Sequence, residues 1–166
     1  MSRPFQIPVA DLMRRPGASR AVTVAEPLAG LGDETVSVPG DQPIAVDIAL
    51  ERIPEGIVVR GTVRAPWQAV CSRCLEPVGG EVSVHVDELF EPDPLPGETY
   101  KLDAESLDLE PMVRDSLVLE LPLAPVCRED CAGLCPSCGV NRNESTCDCT
   151  SDDSDPRWAA LRSLEL

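Results

Sequence analysis

The sequence predicts an α+β protein: an antiparallel β domain, barrel-like if its edges meet, with one packing helix and a small C-terminal zinc-binding module. Three observations point there. Short runs of alternating Val and Ile recur from about residue 21 to 90, the period of strands that bury one face. Near 108–121 the apolar residues change to helical spacing. Six of the eight cysteines then fall within 23 residues, 127–149. The expected organisation is a flexible arm over 1–20, a β-rich domain over 21–126 that includes the helix, and a cysteine-rich metal module with a short terminal helix over 127–166.

The elements follow in order. Residues 1–20 carry Arg3, Arg14, Arg15 and Arg20 around Pro16-Gly17 and show no period, hence the arm. Val22 and Val24 alternate, as do Val36 and Val38. Ile44, Val46, Ile48 and Leu50 form a period-two run with Asp47 and Glu51 on the other face. Residues 57–71 read as one long strand, or a broken pair, bent near Pro66. Val82, Val84 and Val86 follow, so the segment 71–80 reads as the long tip of a hairpin ending at Gly79-Gly80. A Pro-rich acidic break at 91–101 precedes the helix. Asp108 is placed to cap it, Pro111 is tolerated in its first turn, and Leu109, Met112, Val113, Leu117 and Leu121 share a face before Pro122 stops it. At the far end, Asp155-Pro156 reads as a cap and first position of a helix bearing Trp158, Leu161 and Leu164.

Composition excludes several function classes. Aromatics make up 3% of the 166 residues, so aliphatic side chains must build the core and no stacking platform for single strands is present. No run of about 18 apolar residues suggests a membrane span. The N-terminal segment MSRPFQIPVADLMRR lacks a continuous apolar stretch, which argues against secretion and for the cytoplasm. Net charge is −15, against an overall basic nucleic-acid coat. The charge is uneven: residues 1–80 hold 8 Arg and 9 acids, whereas 81–166 hold 6 Lys plus Arg and 20 acids. The first half can therefore still present a basic face, with Arg60 and Arg64 on one side of a strand and Arg73 at the hairpin tip. His85, the single histidine, sits in a strand and reads as a surface residue; no Gly-rich phosphate loop appears.

In a reducing compartment, dense cysteine pairs suggest metal rather than disulfides. The C-terminal spacing is Cys-x3-Cys-x3-Cys-x2-Cys-x8-Cys-x-Cys. In Cys135-Pro-Ser-Cys138-Gly139 two thiolates turn back onto one ion, and the glycine permits the tight turn. Cys147 and Cys149 complete a tetrahedral set, with Cys127 or Cys131 as substitutes. Cys71 and Cys74 are too few for a site alone. They either join cysteines left over from the C-terminal group, bind metal in a dimer, or remain thiols. Redox-active thiols and an iron–sulfur centre are the competing readings.

The segments CSRCLEP (71–77), SLDLEPMVRDSLVLELPLAPVC (106–127), CAGLCPSCGVNRN (131–143), CDC (147–149) and DPRWAALRSL (155–164) together resemble the YceD family, the large ribosomal RNA subunit accumulation proteins, over roughly 40–166. Cys71, Arg73 and Cys74 match its CxRC signature, and Asp115 and Pro122 its central helix. Cys131, Cys135, Cys138, Asn141, Asn143, Cys147 and Cys149 match its extended cysteine form, and Asp155, Pro156 and Arg157 its terminal motif. Arg142 departs from the family's usual Leu, and some relatives lack the C-terminal cysteines, which favours a structural role for the metal. The resemblance implies a bacterial cytoplasmic protein needed for 23S rRNA accumulation, metal-binding and without established enzyme activity. The expected function is therefore non-enzymatic: large-subunit biogenesis through binding of a ribosomal RNA precursor or a large-subunit ribosomal protein, with structural Zn, no membrane and no small-molecule substrate. A thiol-redox or metal-handling protein is the alternative.

Overall fold

The computed structural model describes residues 4–149. In chain order the elements are β1 (Gln6–Pro8), α1 (Ala10–Met13), β2 (Ser19–Pro27), β3 (Val36–Ser37), β4 (Pro43–Arg52), β5 (Ile57–Val70), β6 (Pro77–Glu91), β7 (Tyr100–Lys101), β8 (Ser106–Asp108) and α2 (Glu110–Glu120). The helix expected over 155–166 lies outside the described residues.

Alternation builds the main sheet. Ile44, Val46, Ile48 and Leu50 all point inward from β4 and are buried, as are Ile57, Val59 and Val63 of β5 and Val82, Val86 and Phe90 of β6. The strand order is β2-β4-β5-β6-β7, with β3 extending the edge of β5 beyond the end of β4. β5 and β6 form one uninterrupted antiparallel ladder from Ile57↔Phe90 to Val70↔Pro77. Pro66 does not break it. It falls between the last β4 partner, Arg64, and the first β3 partner, Gln68, where the other edge of β5 has no ladder to lose.

Three expectations are corrected. Among the described residues the sheet does not close into a barrel: β2 pairs only with β4 and β7 only with β6, and the β6–β7 pair is parallel. Gly79 and Gly80 do not end the hairpin tip but lie inside β6, opposite Gln68 and Trp67. A Cβ on Gly80 would sit 3.1 Å from the Trp67 indole nitrogen, so the glycine makes room for the ring across the strand. Residues 5–19 of the expected arm are not free; residues 1–3 lie outside the described residues. β1 pairs with β8, and Phe5, Val9 and Leu12 are buried in the core. A three-residue strand and a single helical turn are too short to display a period, so their apolar residues looked scattered.

α2 covers the inner face. Leu109, Met112, Val113, Leu117 and Leu121 are buried together, and an Asp108 carboxylate oxygen accepts a hydrogen bond from the Glu110 N–H at 3.0 Å. The helix ends at Leu121, whose extended backbone leads into Pro122. Arg114 ties the loop before β3 to the helix, donating to the carbonyls of Ala29 and Gly30 and to Glu110.

Gly61 is the tightest point of the sheet. Its φ is +157°, and a Cβ there would lie 2.1 Å from the Asp47 carbonyl oxygen on β4. Gly61→Ala is expected to lower stability by about 1–3 kcal/mol, through backbone strain and overpacking against main chain that cannot yield. A urea midpoint unchanged from the parent protein would contradict this.

Candidate metal centre

Two short turns carry the chemistry. The first joins β5 to β6 and holds Cys71 and Cys74; the second holds Cys135 and Cys138. Their backbones follow one pattern. The Cys71 N–H donates to the Glu76 carbonyl (2.7 Å) and its carbonyl accepts from Leu75 N–H (3.0 Å). The Cys135 N–H likewise donates to Val140 (2.8 Å), and its carbonyl accepts from Gly139 (2.8 Å). Each turn reverses through a residue with positive φ directly after its second cysteine, Gly139 at +75° and Leu75 at +63°. Glycine adopts this geometry freely, whereas a leucine is held there at a cost of about 1–2 kcal/mol.

The chain after α2 returns to the first turn. The Ser72 N–H donates to the Pro125 carbonyl at 2.8 Å, and Cys127 and Cys131 arrive beside Cys71 and Cys74. The eight sulfurs thus sort into two groups of four: Cys71, Cys74, Cys127 and Cys131, and Cys135, Cys138, Cys147 and Cys149. Within each group all sulfurs lie within 4.8 Å of one another. In the first group Cys71 and Cys131 are 3.8 Å apart and Cys74 and Cys127 3.7 Å apart. Four sulfurs bound tetrahedrally at about 2.3 Å would be spaced by about 3.8 Å, so the separations suit a single ion. A multi-iron core would need its ligands further apart. Both groups could hold a metal ion.

Cys71, Cys74 and Cys131 are buried and form, with Val126 and Leu134, a small apolar cluster separate from the main core. In the second group Cys135 is buried and Cys138 exposed. Burial is the largest single influence on the Cys71 thiol and opposes ionisation. The N–H groups of Cys74, Arg73 and Cys127 nonetheless point at its sulfur and bring it down to about 6. The N–H groups of Cys138 and Ser137 bring Cys135 to about 6. Cys127 is pushed up to about 12 by its hydrogen bond with Cys131 and by burial, and Cys149 to about 12 by its hydrogen bond with Cys138 and by burial. In the first group Cys131 is also lowered, chiefly by the hydrogen bond from Asn143, and Cys74 is also raised, so each group mixes thiols that ionise easily with thiols that resist. Four thiolates this close repel one another unless a cation lies among them.

The expected set Cys135, Cys138, Cys147 and Cys149 is brought together, and Cys71, Cys74, Cys127 and Cys131 form a complete second set rather than substitutes. The sequence carried a signal for the first turn, Cys-x2-Cys followed by a reversal, but Leu75 stands where Gly139 marks the second turn.

The three arginines expected to bind are already engaged. Arg60 and Arg64 do share the outer sheet face. Arg60 pairs with Asp87 (3.0 Å) and Glu51 (3.1 Å), and Arg64 with Asp47. Arg73 folds over the metal module and donates to the carbonyls of Glu129 (3.0 Å) and Cys131 (3.1 Å).

Among the described residues, an open sheet covered by helix α2, with a four-cysteine cluster at its hairpin tip and a second one beside it, defines a β-sheet protein with two clusters that could each hold a metal ion. The chain belongs to the YceD family: the family model for the large ribosomal RNA subunit accumulation protein YceD matches residues 59–165. An uncharacterised protein of Mycobacterium tuberculosis is 41% identical over 97% of this chain and 81% of its own length. One from Mycobacterium leprae is 37% identical over 97% of this chain and 77% of its own. The chloroplastic large ribosomal RNA subunit accumulation protein YCED homolog 1 of Arabidopsis thaliana is 23% identical over 76% of this chain and 50% of its own length. No solved structure matches the chain. No helix among the described residues is long and apolar enough to cross a membrane.

Proposed function

We propose that this protein is a non-enzymatic, cytoplasmic factor in the accumulation of the large-subunit ribosomal RNA, that it acts by holding a basic ribosomal protein, and that each four-cysteine cluster holds one structural zinc ion. Family membership supports the process. The single observation that carries the mode of action is an acidic recess between β6, the 97–100 segment and α2. Glu88, Glu98 and Asp115 line it beside Tyr100 and Leu119, and no Lys or Arg among the described residues does. Burial, then the charges of Asp87 and Asp115, hold the Glu88 carboxyl above its usual range. Burial and neighbouring carboxylates disfavour the charged form, and a cationic side chain entering the recess would relieve that penalty, which suits a site for a basic partner. Arg60, Arg64 and Arg73, by contrast, would have to release carboxylate or carbonyl partners before meeting phosphate. All-sulfur tetrahedral sites favour zinc in a structural role.

Glu88→Gln, Glu98→Gln and Asp115→Asn together are expected to weaken binding to basic large-subunit ribosomal proteins about tenfold, with a flatter salt dependence. Arg60→Ala with Arg64→Ala should leave that binding unchanged. Affinity for 23S rRNA fragments that falls with the arginine pair, and ribosomal-protein affinity that ignores the acids, would return the target to RNA. Glu88→Gln alone should stabilise the free protein near pH 7. A carboxyl whose folded pKa lies above its unfolded value destabilises the fold when ionised, so the gain should fade as pH drops through the folded pKa.

A further inference from the structure

Resting on the reading that both clusters bind metal, we infer that the two clusters load cooperatively and that Asn143 is the positioning residue that couples them. Asn143 lies in the loop bracketed by Cys138 and Cys147, both of the second cluster, yet its side chain reaches into the first. Its Nδ2 donates to the Cys131 sulfur at 3.3 Å. Its Oδ1 accepts from the Ala132 N–H at 2.9 Å and from Arg128 at 2.6 Å. Asn141 holds it in place, accepting from both the Asn143 N–H (3.1 Å) and Nδ2 (2.8 Å). This geometry needs the 139–146 loop folded back on residues 128–134, and an ion shared by Cys138 and Cys147 at its two ends would fix the loop there.

Backbone contacts set the two clusters side by side without touching a sulfur, which leaves Asn143 as the side chain that joins the second cluster's loop to a ligand of the first. Arg73, between the first cluster's Cys71 and Cys74, accepts at its carbonyl from the Leu134 N–H at 2.9 Å, one residue before Cys135. Gly133, with φ +71°, lets the two segments meet there: a Cβ would lie 3.0 Å from the Arg73 oxygen. The Gly133 carbonyl in turn accepts from Arg142 N–H at 2.9 Å, next to Asn143. Four thiolates around a divalent ion leave net negative charge on sulfur, which an amide N–H offsets. Groups that orient and polarise metal ligands in this way are worth about 10- to 100-fold in metal affinity.

The test titrates the full chain with Co(II) under reducing, oxygen-free conditions and follows the thiolate-to-cobalt absorption. Disabling the second cluster with Cys138→Ser and Cys149→Ser is expected to weaken cobalt at the first by about 10- to 100-fold. Disabling the first with Cys71→Ser and Cys74→Ser should weaken the second by the same factor, because coupling is reciprocal. Asn143→Ala should weaken the first cluster alike and move its absorption to longer wavelength, since an unbonded sulfur is more electron-rich. Loss of the second cluster should then add nothing further. Asn143→Asp keeps the acceptor to Ala132 and Arg128 but sets a carboxylate against Cys131, so it should weaken the first cluster more than alanine while the loop stays folded. Equal affinities whether or not the other cluster is intact, or coupling that survives Asn143→Ala, would overturn the inference. No cobalt at either cluster would overturn the metal reading beneath it.

Discussion

Cys71→Ser is expected to lower the metal content of the purified protein from two ions per chain to one, the remaining ion sitting at Cys135, Cys138, Cys147 and Cys149. A four-thiolate structural site binds zinc with about 10–16 kcal/mol, so each ligand carries on average about 2.5–4 kcal/mol. Loss of one is then on the order of a hundred- to a thousandfold in affinity. Cys71 is the most demanding position to change. It is fully buried, and three N–H groups converge on its sulfur. A serine there leaves those donors with a smaller, harder atom. The matching change at exposed Cys138 should remove the other ion and disturb less around it. Elemental analysis after reducing, chelator-free purification measures both; an unaltered content in Cys71→Ser would remove this cysteine from the ligand set, and zinc replaced by iron would reassign the ion.

Chelating the metal under reducing conditions is expected to abolish amide protection over 71–76 and 126–149 while leaving 44–50 protected. The first turn, the returning segment and the second turn share only a small apolar cluster, Cys71, Cys74, Cys131, Val126 and Leu134. At about 1.5–3 kcal/mol per fully buried aliphatic side chain, that cluster cannot offset the ordering of some thirty residues without metal. β4 is different. Ile44, Val46, Ile48 and Leu50 are buried within a core that also includes Phe5, Phe90, Leu107, Leu109, Met112 and Leu117. The module therefore opens as its own unit. Hydrogen exchange with and without chelator measures this, and loss of protection in 44–50 equal to that in 127–149 would mean the metal holds the entire fold.

Much of the architecture is legible in the chain. The β4 run, the β6 valines and the α2 face keep one period over enough residues to declare themselves. The Cys-Pro-Ser-Cys-Gly turn does so through its glycine. Other features follow from partners distant in sequence. Phe5 and Leu12 look like part of an arm until β1 meets β8, about a hundred residues later. Arg73 looks like a free cation at a hairpin tip until the 129–131 carbonyls come to meet it.

Local spacing alone determined that strands, a capped helix and a four-cysteine set at 135–149 exist, because periodicity, turn chemistry and short ligand loops are properties of neighbouring residues. Only the tertiary structure decided that the sheet stays open, that Cys71 and Cys74 meet Cys127 and Cys131, and that the arginines spend their donors inside the molecule. The cysteine clusters and the Arg73 contacts bring together segments more than fifty residues apart, the open sheet depends on the pairing of its edges, and the Arg60 and Arg64 ion pairs depend on the register of adjacent strands; none of these leaves a period in the sequence to read.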